Sequence, residues 1–187
     1  IRRSFNANFH SEQYDSLLRE MEARYPGALD FRVAETPVFI PKDFKDRMID
    51  ACEYIIDLIA QTDLLKKTTT AIPAEWKIAG DESNPDFIAF DFGVCLDETG
   101  ALCPQLIELQ GFPTLFGYQM LLNELYQRHY QIDETLSPFL HELNHVSCLE
   151  LLRKTILGNH DAQEVVLLEI LPHQQKTRID FYITQEL

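Results

Sequence analysis

Residues 87–110, FIAFDFGVCLDETGALCPQLIELQ, decide the fold class. Two runs of strand length stand in this stretch, about 87–95 (FIAFDFGVC) and 104–110 (PQLIELQ), both drawing on aromatic and aliphatic residues. Asp97-Glu98-Thr99-Gly100 between them carries turn chemistry, so an antiparallel hairpin is predicted. Asp91 falls in the middle of the first strand, and Glu108 and Gln110 stand two apart in the second. Alternate strand residues share a face, which places Glu108 and Gln110 together and leaves Ile107 and Leu109 to serve the core. An acid in the middle of each paired strand costs solvation energy unless something compensates it. Two such acids facing one another suggest a cation between them. The competing reading is a solvated sheet face with ordinary polar residues.

Helical periodicity surrounds the hairpin. Residues 1–10 read as irregular. Ser11 opens a helix whose Tyr14, Leu17, Leu18, Met21 and Tyr25 follow a 3.6-residue period, and Pro26-Gly27 ends it. Val38-Phe39-Ile40 is a short extended run. A helix over about 42–61 carries the stripe Phe44, Met48, Cys52, Ile55, Ile56 and Ile59. Residues 62–86 read as a loop or short helix. Pro113-Thr114 precedes a helix of about 114–129, and Ser137-Pro138 opens another that runs to Leu157-Gly158. Val165–Leu171, interrupted only by Glu169, has the pattern of a strand buried on both faces. Thr177 is placed to cap a last helix. The order predicts an α/β or α+β fold with a central mixed sheet flanked by helices. It is organised as one domain over 1–187: a helical lead-in at 1–86, the hairpin and helices at 87–158, and a second strand–loop–helix unit at 159–187.

Composition bounds the function. The chain has 187 residues, 45% hydrophobic and 25% charged, enough for a core without a metal or disulfide staple. A formal net charge of -14 repels nucleic acid and anionic membrane surfaces. It does not exclude a nucleotide, because Mg²⁺ held by carboxylates bridges an acidic site to phosphates. No run approaches the length of a membrane span and no signal peptide is visible, so a cytoplasmic location is expected. Cys52, Cys95, Cys103 and Cys148 lack C-x₂-C spacing and read as reduced and mostly buried. Gly-rich phosphate loops are absent. Thr68-Thr69-Thr70 after Lys66-Lys67 suits either a phosphate contact or a solvated helix end.

A second motif belongs to another chemical class. Residues 141–145, His-Glu-Leu-Asn-His, have the H-E-x-x-H pattern of zinc hydrolases. On a helix, His141 and His145 would lie one turn apart and share a zinc ion, with Glu142 as general base and Glu164 or Glu169 as third ligand. The Gly and third His of the longer motif are replaced by Cys148 and Leu151.

The stretch FDFGVCLDETGALCPQLIELQGFPTLFGYQ (90–119) resembles the glutathionylspermidine synthase family of ATP-grasp ligases, in its N-terminal pre-ATP-grasp portion. The resemblance implies that Asp91 and Glu108 hold Mg²⁺ for ATP, that Glu108 and Gln110 act at the catalytic centre, and that Pro113-Thr114 follows them. Gln110 stands where that family has Asn, and Ala89 where it has Arg. The later piece 165–183 resembles the family's second strand–loop–helix unit. It implies that Gln175, Lys176 and Thr177 lie at a strand's C-terminal end, with Lys176 and Thr177 as ATP contacts. A solvated loop lysine is the competing account of Lys176. The implied activity joins a small-molecule carboxylate to an amine. Because an ATP-grasp fold needs a larger nucleotide-clamping region, the resemblance implies an N-terminal fragment of a longer protein, inactive alone. A non-catalytic binding module is the third expectation.

Overall fold

Leu17 and Met21 are fully buried, and they begin a core that gathers residues from both ends of the chain. The computed structural model of the protein describes residues 1–61, 68–79, 85–111 and 114–187. Lys66, Lys67, Pro113 and part of the predicted 62–86 loop lie outside them. The chain divides into two compact units, one of residues 1–39 with 114–187 and one of residues 40–113.

In the first unit, α1 (Arg2–Asn8) and α2 (Ser11–Arg24) open the chain. Residues 1–10 are thus not irregular as expected. Phe5 is buried, with its ring 5.3 Å from Phe39 and 5.6 Å from Tyr130, and this aromatic packing offsets a sequence with no helical period of its own. His10 caps α2, its backbone N–H donating to Gln13 Oε1 at 2.9 Å. Helix α4 (Phe116–His129) buries Tyr118, Leu121, Leu125 and Tyr126. The hydroxyls of Tyr14, Tyr126 and Tyr130 donate to the carbonyls of Val33, Ala34 and Glu35 at 2.8, 2.7 and 2.6 Å. Two buried rings and the half-buried Tyr14 thereby satisfy their polar tips and tie down a loop segment that has no ladder of its own. Helix α6 (Arg178–Glu186) closes the core with Ile179 and Ile183 and packs on α4.

Two further predictions in this unit fail. The helix expected from Ser137 begins only at His145, as α5 (His145–Leu157). Asn144 fixes that start: its side chain accepts from Ser147 N at 3.0 Å, and Ser147 Oγ accepts from Asn144 N at 2.9 Å. The buried strand at 165–171 does not form. Leu168 is 88% exposed and Val166 and Ile170 are each 79% exposed. A strand needs neighbours for its N–H and C=O groups, and the one ladder among the described residues is the hairpin.

In the second unit, α3 (Lys42–Ile59) packs against β2 of the hairpin formed by β1 (Ala89–Leu96) and β2 (Leu102–Gln110). Phe44 is its buried anchor at 2% exposure, while Met48, Cys52, Ile55 and Ile59 are half-buried. Ile56, expected in the same stripe, is exposed. The mixed helix-and-strand class holds. The sheet among the described residues is a two-stranded antiparallel hairpin and not a mixed sheet. The four cysteines are free thiols as expected, but Cys52, Cys103 and Cys148 are only half-buried and Cys95 is exposed, where most were expected to be buried. No described helix is long and apolar enough to cross a membrane.

Candidate functional site

The predicted hairpin positions the candidate site. Asp97 builds its turn: the carboxylate Oδ1 accepts from Thr99 N at 2.8 Å, Thr99 Oγ1 at 2.6 Å and Ala101 N at 3.0 Å. The Thr99 hydroxyl, followed by the two backbone N–H groups, holds the Asp97 carboxyl below its ordinary value. Gly100 adopts φ +81°, which glycine takes without strain.

From this turn the strands run in register, with Leu96 opposite Leu102, Cys95 opposite Cys103, Val94 opposite Pro104, Gly93 opposite Gln105 and Phe92 opposite Leu106. The register then shifts by one residue. Asp91 lies opposite Glu108, Phe90 opposite Leu109 and Ala89 opposite Gln110, so Ile107 is the extra residue of a β-bulge. This overturns the expectation that Ile107 serves the core. It is 72% exposed, and its Cδ1 lies 3.6 Å from where a side chain on Gly93 would begin. Leu109 keeps its expected face but is 38% exposed.

The ribbon is two-faced. One face carries Phe90, Phe92, Val94 and Leu96 with Leu102, Pro104, Leu106 and Leu109, and Phe90 stacks on Phe92 at 6.3 Å. The other carries Ala89, Asp91, Gly93 and Cys95 with Cys103, Gln105, Glu108 and Gln110. The structure therefore brings Asp91, Glu108 and Gln110 together on the second face. Gln110 Nε2 donates a long hydrogen bond to Asp91 Oδ2 at 3.4 Å, and the same side chain carries an amide oxygen as a further acceptor. Asp91 and Glu108 are exposed and Gln110 is half-buried. Two carboxylates and an amide oxygen are hard donors that fit Mg²⁺, which takes one or two carboxylates and fills its remaining positions from phosphate and water.

Lys176 and Thr177 belong to the other unit. They follow a 3₁₀ turn (Pro172–Gln174), not a strand end; Lys176 is exposed, and Thr177 is the N-cap residue of α6 without a side-chain cap bond. The H-E-x-x-H segment lacks the helix that its chemistry requires. His141 and Glu142 adopt φ +52° and +61°, and only His145 belongs to α5, so the two histidines do not share a helical face. Glu164 Oε2 and Glu169 Oε1 accept from the backbone N–H groups of Asp161 and Ile170. No group of three His, Cys, Asp or Glu side chains among the described residues is arranged to hold a metal ion.

Two acids with structural roles carried no readable sequence signal. Asp180, 5% exposed, accepts from Leu115 N at 2.9 Å and Tyr118 N at 2.8 Å, capping α4 from 62 residues away. Glu20 meets Arg24, Arg128 and His129 across α2 and α4. Apart from the Glu20–Arg24 pair, four residues apart on α2, these partnerships join residues too distant in sequence for spacing to show them. No family profile, curated protein or solved structure matches this chain.

Proposed function

We propose that the polar face of the hairpin binds Mg-nucleotide, and that the chain is the N-terminal portion of an ATP-grasp-like ligase joining a carboxylate to an amine. The observation that supports it is the pairing of Asp91 with Glu108, with the Gln110 amide beside them, on one exposed face. Asp91 and Glu108 hold Mg²⁺, and the Gln110 amide oxygen adds a neutral donor whose direction its bond to Asp91 helps to set. When bound, the ion neutralises phosphate charge as the γ-phosphoryl group passes to the substrate carboxylate. The carboxylate oxygen attacks the γ-phosphorus and ADP leaves. The amine then attacks the acyl carbon and phosphate departs. The carboxylates keep this face negative, so nucleotide binds only with the metal.

Calorimetric titration of Mg-ATP into the chain tests this. Heat of binding that disappears in Asp91→Ala and in Glu108→Ala, and persists in Glu98→Ala, supports the site. Equal binding by all four proteins, or none by any, removes it.

A further inference from the structure

The same face carries a second pair of reactive side chains nearer the turn. Cys95 lies directly opposite Cys103, Cys95 exposed and Cys103 half-buried. The Asp97 N–H donates to the Ala101 carbonyl at 2.8 Å, which marks a hydrogen-bonded pair. Alternation along the ladder makes Cys95 and Cys103 the next such pair and puts Pro104, which has no N–H, in a pair that needs none. Hydrogen-bonded partners stand with Cα atoms about 5.5 Å apart. That separation lies inside the range of roughly 4.4–6.8 Å that a disulfide spans.

We propose that Cys95 and Cys103 form a peroxide-responsive dithiol that closes to a cross-strand disulfide. Two features set their roles. Cys95 is exposed, and its neighbour on that face is Gly93, which has no side chain to cover it. Gln105 Nε2 donates to Cys103 Sγ at 3.5 Å, a contact that strengthens when the sulfur is a thiolate. Cys52, by contrast, is half-buried on α3, and burial pushes its thiol up, away from the reactive thiolate.

The Cys95 thiolate attacks a hydroperoxide oxygen, the O–O bond breaks, and an alcohol or water leaves as the sulfenic acid forms. The Cys103 thiolate then attacks Cys95 Sγ, the S–O bond breaks, and hydroxide departs with a proton as water. Two thiols lose two electrons and two protons in all, and the peroxide gains them. A disulfide across a hydrogen-bonded pair this close to the surface is readily reduced, so the bridge is reversible. None of this depends on the nucleotide site.

The reduced 187-residue chain treated with stoichiometric hydrogen peroxide tests the proposal. The thiol count falls from four to two, the intact mass falls by two hydrogens, and dithiothreitol restores both. Cleavage after Glu98, between the two cysteines, leaves the fragments joined until reductant is added. In Cys103→Ser the sulfenic acid on Cys95 persists and is trapped by dimedone; in Cys95→Ser no intramolecular bridge forms. Bridges that use Cys52 or Cys148, dimers in place of the internal bridge, over-oxidation of Cys95 in the unaltered chain, or four thiols surviving would each overturn it.

Discussion

Replacing Asp180 with alanine removes the buried carboxylate that caps α4, and the loss follows from its two contacts. The Tyr118 N–H, bonded at 2.8 Å in a buried setting, would face no acceptor. An orphaned buried donor costs about 1–3 kcal/mol. The Leu115 N–H, at 2.9 Å and partly buried, recovers some of its loss from water. Loss of a helix cap costs about 0.5–2 kcal/mol in measured cases. These ranges describe overlapping losses, so the expected total for Asp180→Ala is about 3 kcal/mol. Asp180→Asn keeps one carbonyl acceptor, loses the charge, and is expected to cost about half as much. Urea unfolding followed by far-ultraviolet circular dichroism reads both variants, and thermal unfolding should fall by about 6–12 °C for the alanine protein at this chain length. An Asp180→Ala midpoint within about 0.5 kcal/mol of the parent, with unchanged urea dependence, would refute the assignment of the α4 cap to this side chain.

Gly117→Ala should destabilise the same helix pair although alanine favours helix. The new methyl meets Ile183 Cγ2 at 3.0 Å, Thr184 Oγ1 at 3.2 Å and Asp180 Oδ1 at 3.3 Å, all on α6, and overpacking of this kind costs about 1–3 kcal/mol, measurable by urea midpoint. Burial works against ionisation of Glu20, but its bonds to His129 and Arg24, with the charges of Arg24 and Arg128, bring its carboxyl below the ordinary 4.5. Its contribution is therefore present above pH 4.5 and lost as pH falls through the depressed value; in Glu20→Gln the acid limb of the stability profile should flatten. Burial, and for Tyr25 also its hydroxyl bond to Glu186, pushes Tyr25 and Tyr126 up to about 12 from the ordinary 10.0. Burial raises Tyr118 and Tyr130 as well. These phenols stabilise the fold below pH 10, and that contribution fades as pH rises towards 12. Alkaline absorbance titration should show these four of the seven tyrosines ionising late, together with unfolding.

What was legible in the sequence was local. The α2 period, the α3 stripe and the Asp97 turn each lie within a window where spacing alone fixes geometry. The failures of apolar segments share one physical origin, because an apolar pattern states what a segment wants to bury and not whether a partner is present. Val165–Leu171 has the composition of a central strand, yet without a neighbouring ladder it forms no strand and leaves Val166, Leu168 and Ile170 in solvent. Phe5 shows the reverse: a seven-residue helix without its own period persists because Phe9, Phe39 and Tyr130 surround one ring. The His-Glu-Leu-Asn-His motif failed for a reason that could be read in advance. Asn144 followed three residues later by Ser147 is a capping pair, and a helix that begins at Asn144 excludes His141 from its face.

The candidate site depends on one residue that no motif contains. Counting evenly from the Asp97 turn would set Ile107 opposite Asp91 and Glu108 opposite Phe90, turning Glu108 towards the apolar face. Such a ribbon would bury an acid among aromatic rings and leave Asp91 facing an isoleucine, and both placements cost solvation energy. The bulge at Ile107 removes both costs at once. It re-phases the strand so that Leu109 joins Phe90 on the apolar face and Glu108 joins Asp91 on the polar one. The readable trace of this is the doublet Leu106-Ile107, two apolar residues where strict alternation allows one. Hydrophobic phase on one face therefore selects the register that assembles the acids on the other, and the pairing of Asp91 with Glu108 is set by the apolar side chains around it.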